Sequence, residues 1–77
     1  MEFSLRGDHI TLDALLKASG LASSGGAAKM LIAEGRVQVN DVPESRRGRK
    51  LRAGDRVQLG AATVRVCAAL PASPVGD

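Results

Sequence analysis

Between Glu44 and Asp55 the chain reads ESRRGRKLRAGD. From Arg46 to Arg56 it carries Arg46, Arg47, Arg49, Lys50, Arg52 and Arg56 against a single carboxylate, Asp55. That stretch sums to +5 while the formal net charge of the 77 residues is +3, so the remainder is slightly acidic at −2. Charge concentrated in this way, on a chain that is not basic elsewhere, is the electrostatic footprint of a polyanion site. Arginine suits such work because its planar guanidinium forks onto a phosphate and stacks on an exposed base. Taken alone, the segment has a second reading as a solvated basic loop with no partner.

Two more cations, Lys29 and Arg36, lie in SSGGAAKMLIAEGRVQVND, residues 23–41. This stretch reads as a helix running into a strand, yet Gly25 and Gly26 fall in the helix's first turn. Each costs a helix about 1 kcal/mol relative to alanine. On a helical wheel Gly25, Gly26, Lys29 and Ala33 share one side, next to the apolar face. Small residues around one lysine leave a shallow surface, and the helix N-terminal N–H groups favour an anion. The glycines therefore make room for a phosphate backbone, or they permit tight packing within the fold or are tolerated in a fraying first turn.

Other chemistry finds little support. His9 is the sole histidine and Cys67 the sole cysteine, so a metal site is not expected and Cys67 reads as a plain strand-end thiol. The run GGAAK lacks the spacing and the Ser/Thr of a nucleotide-binding loop. No carboxylate pair is placed for acid–base work. With one Phe and no Trp or Tyr, the chain lacks the stacking platforms of aromatic-based single-strand binders. A single cysteine, no apolar run long enough for a membrane span and no secretory h-region point to the cytoplasm, and no cofactor is implied.

The elements that would position these residues follow from periodicity. Glu2 to Leu5 reads as a short strand with Phe3 and Leu5 on one face. Thr11 is a plausible N-cap for a helix over about residues 12–19, with Leu12, Leu15 and Leu16 on one face and Gly20 as its stop. Ser23 or Ser24 caps a second helix whose apolar face is Ala28, Leu31 and Ile32, and Gly35 ends it. The period then changes from 3.6 to 2. Val37 and Val39 alternate with polar residues, Asn40-Asp41 marks a turn and Val42 opens a return strand. Residues 56–59 and 63–66 alternate likewise across Gly60, Ala61 and Ala62, a hairpin pattern. The predicted class is α+β: two short packed helices on one face of a small, mostly antiparallel sheet over residues 1–69, with a disordered tail at 70–77.

In this order the stretch TLDALLKASGLASSGGAAKMLIAEGRVQVNDVPESRRGRKLRAGDRVQL resembles the S4 domain, a small RNA-binding module with an αL motif. The resemblance rests on Gly35, Val37, Val39 and Asn40, then Gly54 and Asp55, and covers about residues 10–60. In its short length and N-terminal strand the chain is similar to stand-alone bacterial S4-like proteins of the YbcJ type. It departs from many S4 domains in carrying Gly25 where an arginine is common, and Asp41 where a glycine is common. The first departure removes an expected phosphate contact, though YbcJ-type proteins also tend to have Ser-Gly there.

The resemblance implies a non-catalytic RNA-binding protein that recognises structured RNA, ribosomal or tRNA-like, mainly through phosphate contacts, and nothing in the chain demands more than a monomer. Its expected RNA-binding residues are Lys29, Arg36, Arg46, Arg47, Arg49, Lys50 and Arg52, with Gly25 and Gly26 leaving space. The competing expectation is a protein-interaction module whose basic strip docks an acidic partner.

Overall fold

A computed structural model describes residues 1–68, and the tail expected at 70–77 lies outside the described residues. In chain order the elements are β1 (Glu2–Ser4), β2 (Ile10–Thr11), α1 (Leu12–Ala18), α2 (Gly25–Ala33), β3 (Val37–Val39), β4 (Val42–Pro43), β5 (Lys50–Leu51), β6 (Arg56–Leu59) and β7 (Ala62–Cys67). The first helix thus ends one residue earlier than its periodicity suggested, with Ser19 as its C-cap.

Both helices form for the reasons their sequences give. Leu12, Leu15 and Leu16 are fully buried on one face of α1, and Ala28 and Ile32 are buried on α2, with Leu31 half-buried beside them. Of the two candidate caps for α2 it is Ser24 that serves, its Oγ accepting the Ala27 N–H at 3.1 Å. The helix ends in a Schellman arrangement. Gly35, at φ 75°, donates to the Ile32 carbonyl and Arg36 to the Leu31 carbonyl.

The main sheet has the order β1-β7-β6-β3-β4. All its neighbours are antiparallel except β1 and β7, which run parallel. Val39 pairs with Val42 across Asn40 and Asp41, whose φ angles of 53° and 70° make the two-residue turn expected of such a tight hairpin. Leu59 pairs with Ala62, so the second hairpin turns on Gly60 and Ala61 and its return strand starts one residue earlier than expected. Val37, Val39, Val57, Val64 and Val66 point to the helices and are buried. Gln38, Thr63 and Arg65 point away and are exposed. Each buried valine or leucine contributes about 1.5–3 kcal/mol by leaving water, and together they hold the two layers.

Periodicity did not anticipate one ladder. β2 and β5 pair antiparallel, Ile10 with Leu51 and Thr11 with Lys50, outside the main sheet. Two residues each are too short to show alternation, and the pairing spans some forty residues. Its consequence is positional, because β5 lies inside the basic segment and fixes its backbone.

Candidate nucleic-acid interface

The basic segment is not a free loop. Leu51 is fully buried in the core, and the Arg49 and Arg47 carbonyls accept the Leu12 and Asp13 N–H groups at 2.9 and 3.1 Å. Those are first-turn donors that a helix leaves without intrahelical partners. Thr11 makes no side-chain cap; its hydroxyl donates instead to Asp13 at 2.7 Å, and Asp13 takes the Ala14 N–H at 2.8 Å. The backbone of the basic segment therefore caps α1. With its carbonyls turned inward, the segment's long side chains are left at the surface.

Those side chains divide into two groups. Arg46 and Arg49 converge on Glu44, a carboxylate that is only 8% exposed. Glu44 Oε2 accepts from Arg46 N and Nε, each at 3.1 Å, and Oε1 accepts from Arg46 Nη2 at 3.4 Å and Arg49 Nη1 at 2.9 Å. The hydrogen bonds from Arg46 and then Arg49 hold the Glu44 carboxyl at a pKa of about 2, against an ordinary 4.5. Arg47, Lys50 and Arg52 are exposed and, among the described residues, make no ion pair. Glu44 was absent from the sequence expectations. Its signal was faint: an acid two and five residues before two arginines, with nothing to mark it as buried.

Arg52 is placed by a second knot. Its N–H donates to Asp55 at 2.9 Å, Asn40 Nδ2 donates to the same carboxylate at 3.0 Å, and Asn40 Oδ1 accepts the Arg56 N–H at 2.9 Å. Partial burial raises the Asp55 carboxyl, but the Arg52 N–H and the Asn40 amide outweigh it and hold it below its ordinary value. Asn40 and Asp55 thus clip the β3–β4 turn to the start of β6, while Gly54, at φ 98°, donates its N–H to the Val66 carbonyl of β7 at 2.9 Å. Arg56 is tied to Asp41 at 2.8 Å.

On α2 the two glycines have open surroundings. A Cβ at Gly25 would meet nothing within 4 Å, and one at Gly26 only Ser24 Oγ at 3.8 Å. Packing of these glycines against α1 or the sheet is therefore excluded as their reason. Lys29 is exposed on this helix, and Arg36, just after it, is exposed and paired with Glu34 at 3.1 Å. The contacts bring Arg46, Arg47, Arg49, Lys50 and Arg52 together around the α1 N-terminus and β5. No hydrogen bond or ion pair among the described residues joins Lys29 or Arg36 to that group.

The remaining candidates are peripheral. His9 pairs with Asp8 at 2.7 Å in an exposed loop, and Cys67 sits half-buried at the end of β7. Among the described residues no group of three or more His, Cys, Asp or Glu forms that could hold a metal ion. No helix among them is long and apolar enough to cross a membrane.

Comparison with known proteins places this geometry in a family. The S4 domain model matches residues 3–67. "Probable ribosome maturation protein RlbA" of Bacillus subtilis (strain 168) is 46% identical over 56 residues, which is 73% of this chain and 79% of that protein. "Putative RNA-binding protein YbcJ" of Escherichia coli (strain K12) is 42% identical over 60 residues, 78% of this chain and 86% of that one. The solution structure of YbcJ from E. coli, described as revealing an αL motif involved in RNA-binding, superposes with a TM-score of 0.67 at 40% identity. It covers 86% of this chain and 85% of its own. The matched residues run from β1 through β7. The chain belongs to the S4 domain family.

Proposed function

We propose that this protein binds structured RNA, ribosomal or tRNA-like, without catalysing a reaction, and that phosphate contacts from the basic segment supply most of its affinity. The observation that carries the reading is the set of exposed cations Arg47, Lys50 and Arg52, without ion pairs among the described residues, on a backbone locked to α1 and to the core. Arg46 and Arg49 flank them, Lys29 and Arg36 are further exposed cations on and just after α2, and Gly25 and Gly26 leave the α2 N-terminus open to a phosphate. The names of the two curated relatives, one a ribosome maturation protein and one an RNA-binding protein, support an RNA of ribosomal origin.

The test is fluorescence anisotropy with a labelled rRNA hairpin, comparing wild type with an R47Q/K50Q/R52Q triple variant. These side chains make no ion pair among the described residues, so the variant should keep its fold, which circular dichroism checks. With about five phosphate contacts the wild-type log-log salt slope is about −3.5 to −4.5. The variant should lose at least tenfold in affinity, about 1.4 kcal/mol, and its slope should shrink by about 2. Equal binding by both proteins would leave the strip as a solvated face or a dock for an acidic protein.

A further inference from the structure

Glu44 raises a physical question. It is the one buried charged side chain among the described residues, and it lies amid the cations that should attract RNA. Its backbone continues the β3–β4 ladder, the Glu44 N–H donating to the Val37 carbonyl at 3.0 Å, so the carboxylate is delivered from the sheet edge. Both of its oxygens are occupied. Arg46 forks onto them through Nε and Nη2, and Arg49 reaches Oε1 through Nη1.

For a surface whose task is only to attract phosphate, this is counterproductive. A carboxylate at the centre removes about one cation's worth of counterion release, which weakens binding to any nucleic acid. What the carboxylate provides is geometry. Arginine is a flexible side chain that must be ordered to make a hydrogen-bonded contact, and a fork on a buried acceptor fixes it beforehand. The fork leaves Arg46 with Nη1 uncommitted and its side chain 75% exposed, and it leaves Arg49 with Nε and Nη2 uncommitted and 32% exposed. The backbone beneath them is equally fixed, through the carbonyls of Arg47 and Arg49 on α1. A flexible strand can fit its phosphates to any arrangement of cations. A folded RNA presents phosphates at fixed spacings, so only a fixed arrangement of donors distinguishes it.

We infer that Glu44 is a positioning residue of this interface: it holds Arg46 and Arg49 in one arrangement that favours folded RNA over unstructured strands, at the cost of some overall attraction. The inference rests on the RNA-binding reading above. A carboxylate that merely stapled the segment down would change stability when altered, and would leave the preference between RNAs alone.

The experiment compares wild type, Arg46→Lys and Glu44→Gln on two labelled RNAs, an rRNA hairpin and an oligouridine of equal length, by anisotropy across a potassium chloride series. Circular dichroism melts run alongside. Arg46→Lys keeps the charge but cannot fork, and its exposed position keeps the fold. Its salt slope should stay at the wild-type value while its preference for the hairpin falls at least fivefold. Glu44→Gln should bind oligouridine at least threefold more tightly, with a slope steeper by about 1, and should also lose preference. If Glu44→Gln fails to fold, Arg46→Lys decides alone. A wild-type preference retained by Arg46→Lys, or Glu44→Gln strengthening both RNAs by one factor, overturns the inference while leaving RNA binding standing. A wild type that binds neither RNA overturns both.

Discussion

Replacing Gly25 and Gly26 together by alanine should move stability and RNA affinity in opposite directions. The two residues are the first of α2, after the Ser24 cap, and neither has a positive φ. The added methyl at Gly25 would meet nothing within 4 Å, and that at Gly26 would make an ordinary 3.8 Å contact with Ser24 Oγ. No strain opposes the change. Restricting the unfolded chain stabilises by about 0.4–1 kcal/mol per glycine at a compatible site. First-turn positions place each near the lower end, so the pair gives about 1 kcal/mol. For a domain of this size that raises the melting temperature by about 4–8 °C. A thermal melt followed at 222 nm checks it.

The same two methyls occupy the space through which a phosphate would reach the Gly25 and Gly26 N–H groups. Affinity for an rRNA hairpin should therefore fall, by about fivefold or about 1 kcal/mol. A melting temperature that fails to rise would refute the open-surface part of this reasoning. A rise with unchanged RNA affinity would refute its functional part and leave the glycines as tolerated in the first turn.

Two further outcomes follow from the polar contacts. Asn40→Ala removes both side-chain hydrogen bonds of the clip and sets alanine at φ 53°, so urea denaturation should show a loss of about 1–3 kcal/mol, while Asn40→Gly, which tolerates that φ, should lose less. Glu44 has a folded pKa of about 2, below its ordinary 4.5, so its contribution is complete above about pH 4.5 and is lost as pH falls toward 2. Melts at pH 6 and pH 3 should show wild type losing more than Glu44→Gln, by about 1–3 kcal/mol, and equal losses would refute the assignment.

How much of this could be read from the sequence depends on the range over which each feature is encoded. The helices, their glycine stops and both hairpins are local patterns of a few residues, and each appeared within a residue of its expected bounds. The parallel pairing of β1 with β7 joins Phe3 to Val66, and the β2–β5 ladder joins Thr11 to Lys50. The first strand is legible as a strand, but its parallel partner is set across the whole chain, and the two-residue strands of the second ladder are too short to alternate. The same limit applied to the candidate site. The cluster of cations was plain as composition, but its division into tied and untied members depended on Glu44 being buried. Burial at that position is set by the sheet edge and not by its neighbours in the chain.

That division also explains what the family resemblance can and cannot carry. The residues that give it are structural in this fold: Gly35 closes α2, Val37 and Val39 fill the core, Asn40 and Asp55 build the clip, and Gly54 turns the chain against β7. Such residues specify a platform with α1 capped by the segment beyond β4. The side chains on that segment are not specified by the platform, because the segment supports the fold through its carbonyls and through Leu51. Arg47 and Lys50 can therefore vary without disturbing α1, whereas Arg49 and Glu44 constrain each other. On the proposed reading, an S4 scaffold of this kind would change the RNA it selects by exchanging its untied cations alone, and how strictly it selects by altering the Glu44 fork.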